Sequence, residues 1–92
     1  MKVDFESIDE LFRIQDIEGL ISGGAPDDEY EPEVERIFTA LEALPREQAT
    51  MPALVGLFEG VWKQMFGATD EKIARRRPHF EEIAEKVIQY FG

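Results

Sequence analysis

The sequence predicts an all-α fold, a small bundle of four helices with a long acidic loop between helices 1 and 2. Three observations lead there: apolar residues recur at helical spacing in four windows, proline and threonine punctuate the starts and stops of those windows, and no run alternates apolar and polar residues as a half-buried strand would. Ninety-two residues support one hydrophobic core but not two, so residues 1–92 read as a single helical domain. Hydrophobic residues make up 43% of the chain, with seven Phe and one Trp, too many large apolar side chains for a disordered acidic polymer.

The first helix, about residues 4–15, gathers Phe5, Ile8, Leu11 and Phe12 on one narrow face and leaves Ile14 off it. Ser7 and Glu10 have the spacing of a capping box. The second, residues 32–44, opens on Pro32 with acids in its first turn, aligns Val34, Ile37, Phe38, Leu41 and Leu44, and is stopped by Pro45. Thr50 is the expected N-cap of the third, residues 52–66. Its apolar set (Leu54, Val55, Leu57, Phe58, Val61, Trp62, Met65 and Phe66) covers half the helix, and a face that wide places it at the centre of the bundle. The last, residues 78–91, stacks Phe80, Ile83, Ala84, Val87, Ile88 and Phe91. Before it, in residues 69–77, Ile73 suggests a short helical turn that Pro78 interrupts.

Residues 16–31 depart from this plain pattern. They hold Gly19, Gly23, Gly24 and Pro26 and are longer than most connections in helical bundles. Leu20, Ile21 and Tyr30 supply anchors by which such a segment packs as a defined loop.

The net charge of -10 is unevenly placed: residues 1–35 carry twelve acids and two bases, whereas residues 36–92 carry eight of each. An acidic surface of this kind repels phosphate backbones and anionic lipid heads, so neither nucleic acid nor membrane is expected as a partner. A basic protein is favoured instead. The absence of cysteine excludes a disulfide framework and a thiolate metal site. The N-terminus has acids where a signal peptide needs a basic end and an apolar run, and no apolar run approaches the ~20 residues that span a bilayer, so a cytoplasmic location is the expectation.

The residues that could carry chemistry point away from catalysis. Asp27, Asp28, Glu29, Glu31, Glu33 and Glu35 put six carboxylates in nine residues, but counting an EF-hand from Asp27 puts Pro32 at the sixth position and Phe38 at the twelfth, where glycine and glutamate are required. Helix-start electrostatics account for Glu31 and Glu33, and a solvated loop for Asp27 to Glu29. His79 is the only histidine, which excludes a histidine-pair zinc site, and it reads as a partly exposed residue at a helix start. Neither Ser7 nor Ser22 lies in a nucleophile elbow, and Gly23 and Gly24 lead into acids rather than a phosphate-loop lysine. No catalytic residue, metal ligand or cofactor is assigned. Arg75, Arg76 and Arg77 either grip an anionic group of a partner or lie against the acidic loop of the same molecule, the second being preferred because surface charges usually find local partners. Gly56 and Gly60, on the polar side of the third helix, either permit a close approach or are simply tolerated, at ~1 kcal/mol each relative to alanine.

The stretch Asp16-Ile17-Glu18-Gly19-Leu20-Ile21, continuing Gly23-Gly24-Ala25-Pro26-Asp27-Asp28-Glu29-Tyr30, resembles the signature of the YugE-like family of small bacterial proteins of unknown function. There a tryptophan-aspartate-proline-x-glycine-leucine turn leads to an aspartate-glutamate-tyrosine run and then a helix; this chain departs at Gln15 and Ile17, where the family often has tryptophan and proline. The resemblance implies a small helical fold in a bacterial cytoplasm and no established activity. On the residues themselves, the expected function is a non-enzymatic interaction module, immunity-like or regulatory, acting as a monomer or weak homodimer. Asp27, Asp28, Glu29, Tyr30, Glu31 and Glu35 are its expected contacts with a basic protein. The alternative is a small divalent-metal-dependent hydrolase or metal-binding protein that uses the acidic loop.

Overall fold

The computed structural model describes residues 4–19, 23–24 and 30–91, the last of these by its backbone only. Among them lie four α-helices and no strand: α1 (Phe5–Gln15), α2 (Glu31–Ala43), α3 (Met51–Phe66) and α4 (Asp70–Phe91). One 3₁₀ turn, Arg46–Gln48, joins α2 to α3. Most of the expected loop between α1 and α2 falls outside the described residues; its two ends, Asp16 to Gly19 and Tyr30, fall inside.

The helix boundaries follow local chemistry. The Thr50 side chain accepts a hydrogen bond from the Ala53 amide, as an N-cap should. Thr69 does the same for Lys72 at the head of α4. Gly67 ends α3 at φ +61°, a left-handed conformation that glycine adopts without a Cβ penalty. The capping box expected at Ser7 and Glu10 does not form, because α1 begins at Phe5; Ser7 instead donates to the Asp4 carboxylate at 2.9 Å.

Pro78 does not interrupt the last helix. Residues 70–91 form one helix of 22 residues with Pro78 inside it, where a break was expected. The reason lies in the buried face: Ile73, Phe80, Ile83, Ala84 and Val87 keep one helical phase across the proline, and all are core residues. Pro78 and Ala74 are both exposed, so the carbonyl deprived of its intrahelical N–H faces water.

Helix neighbours form a closed circuit, with α1 against α2 and α4, and α3 against α2 and α4. A single cluster of buried side chains fills the middle. The wide apolar face of α3 supplies its centre, since Phe58 and Trp62 are fully buried and reach across the bundle to Phe12 of α1 at ring separations of 5.5 and 5.8 Å. Both also meet Phe80 of α4. Phe38 lies farther out than its helical phase suggests, half-buried and edge-on to Phe5 at 5.4 Å. Ile14 is exposed, as its position off the α1 face predicts.

A Cβ placed on Gly56 or Gly60 meets nothing within 4 Å, so no close approach within the described chain requires glycine there. Each therefore weakens α3 without packing in return. Gly56→Ala and Gly60→Ala should each raise stability by ~1 kcal/mol, read as an increased denaturant midpoint; a fall in either would reveal a conformational role for that glycine. Phe58→Ala, in contrast, empties the centre of the core and should cost ~3 to 5 kcal/mol in the same titration.

Candidate functional site

The turn that leaves α1 is built into the core by its own residues. Asp16 takes the left-handed conformation, φ +43°, and its amide closes on the Phe12 carbonyl at 2.9 Å. Aspartate tolerates this conformation better than most residues. The reversal buries Ile17 and sends the Glu18 side chain toward α3 and α4.

Glu18 is the hub of this region. One carboxylate oxygen, Oε2, accepts from the Trp62 indole Nε1 and from Arg76 Nε, both at 3.0 Å, and the other, Oε1, meets Lys72 Nζ at 2.7 Å. The side chain is only 8% exposed. Burial pushes its carboxyl upward, but the hydrogen bonds from Lys72, Trp62 and Arg76, joined by the Arg76 charge, outweigh burial and hold it below the ordinary value of 4.5. The acid is thus kept ionised between two cations.

Tyr30 closes the other end of the connection. Its ring is fully buried, and its hydroxyl accepts from the Glu18 amide at 3.0 Å while donating to Asp16 Oδ1 at 2.8 Å. The ring also lies nearly parallel to Trp62, at 6.2 Å and 20°, while Phe12 stacks near Trp62 at 23°. Asp16, Glu18 and Tyr30 from the connection, Trp62 from α3, and Lys72 and Arg76 from α4 form a clasp joining sequence-distant elements.

Placement of the expected partner contacts is mixed. Asp27, Asp28 and Glu29 lie outside the described residues. Glu31 and Glu35 are exposed on α2, but Tyr30 is withdrawn into the core, because its phenol completes the clasp, and so is not a surface contact in this conformation. Glu33 is also nearly buried, at the third position of α2, where the first-turn amides favour negative charge. Among the arginines, Arg76 reaches Glu18 of the connection as the preferred reading expects, whereas Arg77 pairs with Glu59 of α3 at 2.9 Å and Arg75 is exposed. His79 sits within α4 rather than at a helix start, because that helix runs through Pro78; its Nδ1 lies 2.8 Å from Gln15 Oε1.

Chemically, the clasp is equipped to hold charge. A general base works best with a pKa near the operating pH, whereas Glu18 is held low with its oxygens engaged by three donors. Among the described residues no group of three or more His, Asp or Glu side chains could hold a metal ion. No described helix is long and apolar enough to cross a membrane. Sequence reasoning singled out neither Glu18 nor Trp62 as a site residue. Their only separate signals were a sole tryptophan on a wide helical face and an acid in a turn, and helical period carries no information about a pair 44 residues apart. No protein-family model, curated protein or solved structure matches the chain.

The lowered Glu18 carboxyl sets the sign of a pH effect. Its contribution is fully present above the ordinary value of 4.5 and is lost as pH falls through the lower folded value. Glu18→Gln should destabilise by ~1 to 3 kcal/mol at pH 7, as loss of charge-assisted hydrogen bonds does. The gap between wild type and variant should shrink on acidification below 4.5. Parallel denaturant titrations from pH 7 to pH 3 measure it, and a gap that widened in acid would contradict the clasp.

Proposed function

We propose that this protein is a non-enzymatic interaction module, immunity-like or regulatory, that meets a basic protein through the acidic surface of its first third. The charge separation carries this reading: twelve acids against two bases in residues 1–35, with Glu6 and Glu10 of α1 and Glu31 and Glu35 of α2 exposed on two neighbouring helices. Charge of one sign gathered on one part of a surface accelerates encounter with an oppositely charged partner and disfavours anionic ones. The clasp supports the same reading indirectly, since it fixes where α2 begins, immediately beyond Asp27, Asp28 and Glu29. A cytoplasmic setting, and membership among the YugE-like proteins that residues 16–30 resemble, belong to the same proposal.

The test neutralises five carboxylates and keeps the clasp residues Asp16, Glu18 and Tyr30 unchanged. A variant carrying Asp27→Asn, Asp28→Asn, Glu29→Gln, Glu31→Gln and Glu35→Gln should keep its helical signal and thermal transition. Its association rate with a partner recovered from the native host should fall at least tenfold at low salt, with the difference closing as salt rises. Equal association of both proteins with that partner at low salt would remove the acidic surface from the functional account.

A further inference from the structure

A shallow groove of about 660 Å³ runs along the outer side of α2 against the end of α3. Pro32, Ala40 and Ala43 of α2 and Met65 of α3 make much of its lining apolar, and Glu35 and Arg36 bring charge to it. From Pro32 to Ala43 the groove follows twelve residues of helix, about 16 Å or three turns at 1.5 Å per residue.

The α2 helix presents three successive faces. Val34, Ile37 and Leu41 point into the core. At 100° per residue, Pro32, Arg36, Ala40 and Ala43 form the groove stripe, and Glu31, Glu35 and Glu42 fall within about 40° of one another on the stripe beside it. All three of those glutamates are exposed. An apolar trough three turns long is therefore edged by a row of carboxylates at i, i+4 and i+11.

From this juxtaposition we infer that the groove seats a basic amphipathic helix of a partner protein, its apolar face on Ala40, Ala43 and Met65 and its Lys or Arg side chains along the Glu31, Glu35 and Glu42 edge. The inference rests on the acidic-surface reading and gives that surface a binding mode, helix in groove. Charge selects the occupant. A second copy of this chain would set the same carboxylate row against itself, and an acidic or phosphorylated segment would meet the same repulsion. Arg36, the one cation among the described residues that line the groove, donates to Gln64 Oε1 of α3 at 3.0 Å and sits at the α3 side, away from the acidic edge. It opposes a basic occupant, so its removal makes a test in which binding should improve.

The probe is a synthetic peptide of leucines at i, i+3, i+4 and i+7 with lysines elsewhere. It is compared with a peptide of the same composition scrambled to have no apolar face. Binding to the full chain is followed by isothermal calorimetry and by methyl chemical shifts of Ala40, Ala43 and Met65. The patterned peptide should bind at least tenfold more tightly than the scrambled one and shift those three methyls most. Ala43→Arg, at an exposed position, should weaken it at least tenfold, and Arg36→Gln should strengthen it several-fold. Binding that is indifferent to Ala43→Arg, or methyl shifts centred on Ala53 of α3, would overturn the groove while leaving the acidic-surface reading in place. Failure of both lysine peptides to bind at low salt would overturn the groove and the acidic-surface reading together.

Discussion

Trp62 is the side chain through which the core and both ends of the segment between α1 and α2 are coupled. Its ring faces Phe12, Tyr30, Phe66 and Phe80, and so touches α1, the head of α2, its own helix and α4 at once. Its one polar atom cannot be buried among these rings without a partner, because an unmade indole hydrogen bond costs on the order of 1 to 3 kcal/mol. The Glu18 carboxylate meets that demand, and a carboxylate taken this far from water in turn requires cations, which Lys72 and Arg76 supply. Each polar group in the chain of contacts is there to answer the burial of the one before it. Tyr30 extends the logic to the head of α2, where one phenol both accepts and donates.

This dependence explains what could be read from sequence and what could not. The four helices were legible because each carries an apolar stripe at 3.6-residue spacing, and Thr50 and Pro45 mark where two of them begin and end. The continuity of α4 was not, because proline's local penalty is a property of the chain whereas the packing of Ile73 and Phe80 on one side is a property of the bundle. Phe38 fell between these cases: its phase is at the rim of the apolar face of α2, where it is half-buried with its ring edge-on to Phe5. Glu18 could not be singled out at all, since nothing near it in the chain distinguishes it from the other acids of residues 1–35. Its character comes from α3 and α4.

The same separation of scales divides the charge. In the half of the bundle made by α3 and α4, cations are matched locally, Arg77 to Glu59 and Lys63 to Asp70, and exposed pairs of this kind contribute little to stability. In the first third Arg13 pairs with Asp9, but acids far outnumber bases, and the Glu18 carboxylate borrows its cations from α4. Acids that remain on the outside of α1 and α2 are therefore not needed for folding in the way Glu18 is, which leaves them available for another role.

Because the chain has a single tryptophan and that tryptophan is the hydrogen-bond donor to Glu18, the clasp carries its own optical reporter. An indole enclosed by Phe12, Tyr30 and Phe80 emits at short wavelength, and neighbouring carboxylates and stacked phenols alter its intensity. Any event that parts Tyr30 or Glu18 from Trp62 while the helices stay packed would change emission without a matching change in helical dichroism. Opening of the connection and unfolding of the bundle thus have separable spectral signatures in the unlabelled protein.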